Sequence, residues 1–181
     1  MKTMQKQCSK QNRGTRLVII LCLLPLSSPG AWALDADKDF MEDQWELQHG
    51  LDPGDAGDAF RDLDQDSFVN LCEYLHASDP SDAGQRPVSN VTLMVPTQVG
   101  TIQQAIDLSI DGDTVLIQPG SYAEAINVSD REIRIRGSAP EVTAVVAATV
   151  INPSNIYYDI VNFISSHQAR SILEGVTLTG G

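Results

Sequence analysis

A twelve-residue acidic pattern occurs twice in this chain and constrains its fold more than any other feature of the sequence. Residues 35–46 read DADKDFMEDQWE, and residues 62–73 read DLDQDSFVNLCE. Each segment offers side-chain oxygens at positions 1, 3, 5, 9 and 12 and a backbone carbonyl at position 7. Carboxylates crowded in this way repel one another unless protons or a cation neutralise them. The pattern therefore predicts two cation-binding loops, called here the first loop (35–46) and the second loop (62–73).

Calcium is the cation that this spacing favours. Ca²⁺ typically takes six to eight oxygen ligands in a flexible shell, and a glutamate at position 12 of such a loop can bind it through both oxygens. Mg²⁺ is the weaker candidate, because it prefers a smaller octahedral shell and keeps its waters.

A short helix is predicted at the end of each loop. The segment Asp43–His49 precedes Gly50, a typical helix stop. The segment Asn70–His76 carries three apolar side chains on one helical face. Together with Trp45 they can form a small shared core, which argues against the alternative of a disordered acidic linker. The three apolar side chains are Leu71, Tyr74 and Leu75.

This region resembles the bacterial thrombospondin type 3 repeats, which are related in loop chemistry to EF-hands and dockerins. Both acidic loops, both trailing glutamates and both Asp-Pro stops, Asp52-Pro53 and Asp79-Pro80, recur in the order of that family. The resemblance implies calcium ligands at every position of the pattern, with carbonyls from Met41 and Phe68. The other implied ligands are Asp35, Asp37, Asp39, Asp43 and Glu46 in the first loop and Asp62, Asp64, Asp66, Asn70 and Glu73 in the second.

The chain departs from that family at loop position 6. The family prefers glycine there, where the backbone turns sharply, whereas this chain has Phe40 and Ser67. A residue other than glycine costs about 1–2 kcal/mol if the turn requires a left-handed conformation. We therefore expect the first loop, with its bulky Phe40, to be the more strained of the two.

The first 33 residues read as a signal peptide. Five basic residues without any acidic one precede an apolar run of about ten residues, and Ala31-Trp32-Ala33 forms a cleavage site. A buried core helix is the alternative, and the run is too short to span a membrane. Cleavage would leave an acidic chain that repels nucleic acid and anionic lipid, with Cys72 as its single cysteine. The predicted location is extracellular or at the cell surface.

The second half of the chain changes to the period of short strands. Residues 34–82 are predicted to form the calcium module, 83–90 a linker and 91–181 a separate domain. That domain starts with a strand, Val91–Val95, and a helix, Thr101–Ile110, in which Thr101 and Gln104 form a capping box. The later strands are predicted at Thr114–Gln118, Glu132–Arg136, Thr149–Ile151, Asp159–Ile164 and Leu173–Thr179. Alternation in the second of these points Ile133 and Ile135 inward.

Strands without intervening helices suggest an all-β sandwich or a solenoid, and a second resemblance favours the solenoid. The segment TIQQAID…DGDTVLIQPGSY, with the later ILEGVTLTGG, is similar to the N-terminal part of pectin-lyase-like proteins. This resemblance implies a mainly β fold, a right-handed parallel β-helix whose open end is covered by the helix at Thr101–Ile110. The short-helix calcium module would precede it. Because the pattern stops at Gly180-Gly181, we expect a fragment or a partner that covers the last coil.

No catalytic set is recognisable in the second half. Carboxylates are present, but none forms a motif, and the three histidines, His49, His76 and His167, are interpreted as surface residues. Asp113 is interpreted as a turn former and Cys72 as a buried apolar residue. The carboxylates considered are Glu124, Asp130, Glu132, Glu141, Asp159 and Glu174.

The sequence leaves open whether the protein is an enzyme, and the balance favours a non-catalytic role. We expect a secreted calcium-binding protein whose β-helix contacts a polysaccharide or a component of the cell envelope. The alternative is a truncated polysaccharide lyase or glycoside hydrolase with its active coils beyond residue 181. An inert degraded product is a third possibility.

Overall fold

The acidic region contains three short helices. The computed structural model describes residues 34–153, 159–164 and 170–180; the predicted signal peptide (1–33) and His167 lie outside these residues. Helix α1 spans Asp43–His49, a 3₁₀ helix spans Asp58–Phe60, and helix α2 spans Asn70–His76. The bounds of α1 and α2 are those predicted from the sequence.

Left-handed residues end both α-helices. Gly50, at φ 77°, follows α1, and Ala77, at φ 55°, follows α2. The N–H of Gly50 donates to the carbonyl of Glu46, which satisfies one of the unpaired carbonyls of the last turn. The helices also share the predicted small core, since the rings of Trp45 and Tyr74 meet edge to face with centroids 4.9 Å apart.

In the described part of the chain, nine short strands form three sheets in which every pairing is parallel. The first sheet has the order β1-β2-β5-β8, the second β3-β6-β9 and the third β4-β7. The strands are β1 Thr92–Val95, β2 Thr114–Ile117, β3 Gly120–Tyr122, β4 Ile126–Ser129, β5 Arg134–Gly137, β6 Thr149–Ile151, β7 Val161–Ile164, β8 Ile172–Glu174 and β9 Thr177–Leu178.

The strands stack like the rungs of a β-helix. Successive strands such as β2, β3 and β4 belong to different sheets, and each pairs with a strand from the next turn of the chain. Register places aliphatic side chains above one another: Leu93 pairs with Val115, Val115 with Ile135, and Ile135 with Leu173. The side chains of Leu93, Val115 and Ile135 are almost fully buried. Each such side chain contributes about 1.5–3 kcal/mol by leaving water.

Helix α3, Ile102–Leu108, covers the first rung and carries the predicted cap. The hydroxyl of Thr101 accepts a hydrogen bond from the N–H of Gln104 at 3.1 Å. The carboxylate of Glu124 accepts two more from the first turn, at 3.0 and 2.9 Å. One face of the helix is buried against β1, β2 and β4. Its buried residues are Ile102, Ala105, Ile106 and Leu108.

The structure corrects the expectation of a mainly β fold in which no helix lies between the strands that follow the cap helix, because the fold is mixed α/β. Helix α4, Thr143–Ala148, lies within the second turn, where its alanines favour helix over strand. Strands β3 and β4 were missed, since Gly120, Ser121 and Asn127 have low strand propensity and pair only because the turns stack. The predicted strand Leu173–Thr179 is divided at Gly175, which has a positive φ.

Helix α2 packs on the β region through a buried polar contact. Nε2 of His76 lies 2.8 Å from Oδ2 of Asp113, and both side chains are fully buried. The thiol of Cys72, buried as predicted, donates to the carbonyl of Leu108 at 3.3 Å. The expectation that His76 is a surface residue is therefore wrong. The local sequence could not reveal its burial, because its partner Asp113 lies far away along the chain.

Asp113 is more than a turn residue. Its carboxylate accepts hydrogen bonds from the N–H groups of Val91 and Ile110 at 2.9 and 2.8 Å. It thus joins the start of the first rung, the end of the α3 segment and helix α2. In the part of the chain that the structure describes, no helix has the length and apolar character needed to cross a membrane.

Candidate metal centre

The two acidic loops follow the same hydrogen-bonding scheme. In the first, the carboxylate of Asp35 accepts from the N–H groups of Lys38, Asp39 and Phe40 at 2.7–3.2 Å. In the second, the carboxylate of Asp62 accepts from the N–H groups at positions 5 and 6, at 3.1 and 2.9 Å. The aspartate at position 1 thus organises the turn in both loops.

Positions 5 and 9 are also used alike. Oδ1 of Asp39 and Oδ1 of Asp66 each accept from the N–H two residues later, at 2.8 and 2.9 Å. At position 9, Oδ1 of Asp43 accepts from Ala36 at 2.8 Å, and Oδ1 of Asn70 accepts from the corresponding residue of the second loop at 3.3 Å. The repeated sequence pattern therefore becomes a repeated backbone geometry.

Both loops adopt left-handed backbone conformations at positions 4 and 6. Lys38 and Phe40 have φ values of 67° and 79°, and Gln65 and Ser67 have values of 65° and 85°. Such conformations cost L-residues about 1–2 kcal/mol each, which is the physical reason why glycine suits position 6. The strain anticipated for Phe40 is thus present, but Ser67 shares it.

Phe40 is retained at the strained position by a contact with the β region. Its ring is half-buried against the apolar core. Its Cζ lies 3.3 Å from the point that a Cβ on Gly100 would occupy, so any side chain at Gly100 would crowd the ring. This contact joins the first loop to the turn before α3, just as His76 joins the second loop to Asp113.

Among the described residues, three groups of carboxylates bring their oxygens within 4.8 Å of one another. Two of them are the predicted aspartates at positions 1, 3 and 5 of each loop. The third combines Asp39 and Glu46 of the first loop with Asp58 of the 3₁₀ helix. The first two groups are Asp35, Asp37 and Asp39, and Asp62, Asp64 and Asp66.

The remaining predicted ligands occupy varied positions. Glu73 is fully buried, and its Oε1 accepts from the hydroxyl of Ser78 at 3.2 Å. Met41 is buried and Phe68 half-buried, and the N–H group of each donates to the loop aspartate two residues before it. The roles of Met41 and Phe68 as carbonyl ligands stay predictions. The roles of Asp43 and Asn70 as side-chain ligands also stay predictions.

Asp58 is the residue that the sequence did not reveal. It is 4% exposed, yet it lies in a connector that also contains Asp52 and Asp55, and no spacing distinguishes it from them. Only the folding of the connector back onto the first loop brings it to the group. A third acidic residue between two acidic loops is too common a feature to have identified it.

Many carboxylate oxygens of this region are buried without a hydrogen-bond partner in the described residues. An unpaired buried polar atom costs about 1–3 kcal/mol, and more when it is charged. A group of this many unpaired carboxylate oxygens therefore requires a counter-charge. Both oxygens of Glu46, whose side chain is fully buried, are among these unpaired atoms. The set comprises Oδ1 and Oδ2 of Asp37, Oδ2 of Asp39, Oε1 and Oε2 of Glu46, Oδ1 of Asp58, Oδ2 of Asp64, Oδ2 of Asp66 and Oε2 of Glu73.

The same burial shifts the acidity of the site. It raises the pKa of Asp39 to about 6 and the pKa values of Glu46 and Glu73 to about 7, and neighbouring carboxylates add to the effect. Burial also raises the pKa values of the position 3 carboxyls, Asp37 and Asp64. Protons would therefore occupy part of the site at neutral pH unless a cation displaced them.

A hard cation fits this donor set. The buried unpaired side-chain atoms of the acidic region are carboxylate oxygens, which suit calcium, and sulfur and imidazole are absent from the three groups. The arrangement is compatible with calcium binding in both loops. Comparisons of the chain with protein-family models, with curated proteins and with solved structures found no match.

Proposed function

We propose that the protein is a secreted calcium-binding protein in which metal binding orders the acidic region. The observation that carries this proposal is the set of buried, unpaired carboxylate oxygens around Glu46 and Glu73. In water-free surroundings these groups either keep their protons or bind a cation. At the millimolar calcium concentrations of extracellular fluids, even a weak site of about 10⁻⁴–10⁻³ M would be occupied.

We further propose that residues 34–82 are thrombospondin type 3-like repeats and that residues 91–181 belong to a right-handed, pectin-lyase-like parallel β-helix. Support for the first comes from the similar hydrogen-bonding schemes of the two loops and from their left-handed residues at positions 4 and 6. Support for the second comes from the stacked parallel sheets and the helix over the first rung. Right-handed crossovers are the rule for parallel strands.

In this proposal the acidic module is a rigid element joined to the β-helix. Its contacts with the β region include Phe40 on Gly100 and His76 on Asp113, and both start from segments that carry predicted ligands. Helix α2 contains Glu73 and His76 one turn apart, so a cation held by Glu73 also fixes the helix that docks on Asp113. Calcium would thereby strengthen the junction between the two parts.

The β-helix is proposed to offer its stacked sheets to a polysaccharide or to the cell envelope. The exposed Arg134 and the half-buried Arg136 do not serve as free cations there, because Glu174 on the next rung lies 3.2 and 3.8 Å from them. Recognition would therefore depend on the shape and hydrogen-bonding groups of the sheets. Retention of the protein on insoluble cell-wall polysaccharide in a sedimentation assay would support this part, and equal retention on an inert resin would oppose it.

Calorimetric titration of the purified protein with calcium tests the main proposal. We expect two binding events and an increase in helical circular dichroism, with magnesium at the same concentration giving a much smaller response. An absence of heat together with an unchanged spectrum would overturn it. A single binding event would leave one functional loop, which the glutamate substitutions discussed below would identify.

A further inference from the structure

We infer that Asp58, which lies outside both twelve-residue loops, is an additional ligand of the first calcium site. This inference rests on the proposed function and assigns a role to a residue that no loop pattern includes. The carboxylate of Asp58 has an oxygen within 4.8 Å of ligand oxygens of Asp39 and Glu46. Asp58 is 4% exposed, and its Oδ1 has no partner among the described residues.

The surroundings of Asp58 hold one oxygen in place and leave the other for a cation. Oδ2 accepts a hydrogen bond from the N–H of Asp52 at 2.9 Å. The N–H of Asp58 itself donates to the carbonyl of Asp55, also at 2.9 Å. A carboxylate with one oxygen bonded to backbone and the other directed at two buried carboxylates would be strongly repelled without a metal between them. With a metal, it becomes a preorganised ligand.

An additional ligand would strengthen the first site. Position 9 supports the loop backbone in both loops, since Oδ1 of Asp43 accepts from the N–H of Ala36 and Oδ1 of Asn70 accepts from the N–H of Leu63. Asp58 would add an oxygen and a negative charge to the first site. Calcium affinity rises with the number of charged ligands and with the rigidity of the site, and both changes favour the first site.

Asp58 also touches the second loop. Its carbonyl accepts a hydrogen bond from Nδ2 of Asn70 at 2.8 Å, and Asn70 occupies position 9 of that loop. One residue thus has its side chain at the first site and its carbonyl at the second. A cation that fixes Asp58 will therefore also help to hold Asn70, so filling the first site should favour filling of the second.

The test compares Asp58→Asn with Asp55→Asn, both introduced into Glu73→Gln, which weakens the second site so that calcium fills the first site first. Both substitutions remove one negative charge from the same connector, but Asp55 is an exposed residue paired with Arg61 at 2.8 Å. We expect Asp58→Asn to weaken calcium binding at the first site at least tenfold by calorimetry and Asp55→Asn to change it less than twofold. Equal affinities of the two variants would overturn the inference while leaving the calcium proposal intact. If the parent protein binds no calcium, the proposed function itself fails.

A second readout separates ligation from mere support of the fold. Terbium, a hard cation that replaces calcium at oxygen sites, reports the number of waters bound to it through its luminescence lifetimes in H₂O and D₂O. We expect about one additional coordinated water in Asp58→Asn and none in Asp55→Asn, because a lost carboxylate oxygen is replaced by solvent. An unchanged water number in a folded Asp58→Asn variant would show that Asp58 only supports the loop.

Discussion

The first and second loops follow the same backbone path, yet among the described residues only the first receives a carboxylate from outside its own twelve residues. In the first loop, Glu46 has two unpaired buried oxygens and Asp58 approaches it from the 3₁₀ helix. In the second, one oxygen of Glu73 already accepts from Ser78, and position 9 is the neutral Asn70. The same sequence pattern thus gives two sites of different charge and polarity. The residues around a loop, together with its own ligands, determine how strongly the site favours a bound cation.

Removal of calcium should have the largest effect. A site filled at about a hundred times its Kd contributes about 2.7 kcal/mol, so two sites together would contribute about 5 kcal/mol. For a chain of this size we expect chelation to lower the Tm by about 10–20 °C. Thermal melts by circular dichroism, with and without EGTA at pH 7.5, measure this shift. A Tm that does not respond would mean that neither loop holds calcium.

The position 12 glutamates should differ when each is changed to glutamine. A contact to a charged group is worth about 1.5–3 kcal/mol, which corresponds to a tenfold to hundredfold loss of affinity. We expect Glu46→Gln to lie near the upper value and Glu73→Gln near the lower, since the amide oxygen of Glu73→Gln can still accept the Ser78 hydroxyl. Calorimetry on the two variants measures the difference, and equal losses would remove the distinction between the loops.

Local signals explain why the sequence predicted α1 and α2 to the residue. A stop residue such as Gly50 and an apolar face around Leu71 act within a few positions, so they can be read without knowledge of the fold. The roles of Asp58, His76 and Phe40 depend on contacts with distant parts of the chain. The same holds for β3 and β4, whose polar residues become strands only because a neighbouring turn supplies hydrogen-bond partners.

The raised pKa values of the buried carboxyls predict how the stability of the calcium-free protein changes with pH. Without calcium, the pKa values of Glu46 and Glu73 are about 7 in the folded protein and about 4.5 in the unfolded chain. Between these values the folded state binds more protons, so its free energy of unfolding falls as pH rises and reaches its low plateau above about pH 7. The pKa of Asp39, about 6, acts in the same direction.

Calcium should reverse this trend, because the metal competes with the protons. We therefore expect urea unfolding to show a calcium-free protein that is more stable at pH 5.5 than at pH 8 and a calcium-loaded protein that is not. Glu46→Gln should weaken the dependence in the calcium-free state. A calcium-free protein whose stability rises across this interval would show that other ionisable groups dominate.

The smallest expected effects come from loop position 6, and they distinguish the attachments of the two loops. Ser67 is exposed and left-handed, so Ser67→Gly should relieve backbone strain of about 1–2 kcal/mol, less about 0.5–1 kcal/mol for the greater freedom of glycine when unfolded. The net gain would be about 0.5–1 kcal/mol. Phe40→Gly receives the same relief but loses the packing of a half-buried ring, so we expect a net loss of similar size.

Urea unfolding of the calcium-loaded variants, with the slope of the transition held as a control for two-state behaviour, separates these outcomes. If Phe40→Gly stabilised the protein as much as Ser67→Gly, the ring on Gly100 would contribute nothing, and helix α2 would join the module to the β region through His76 and Cys72. We expect Ser67→Gly to raise the free energy of unfolding and Phe40→Gly to lower it. This result would show that the contact of Phe40 with Gly100 outweighs the backbone strain at position 6 of the first loop. The preference of calcium loops for glycine at position 6 would then be outweighed at Phe40 by packing against the β region.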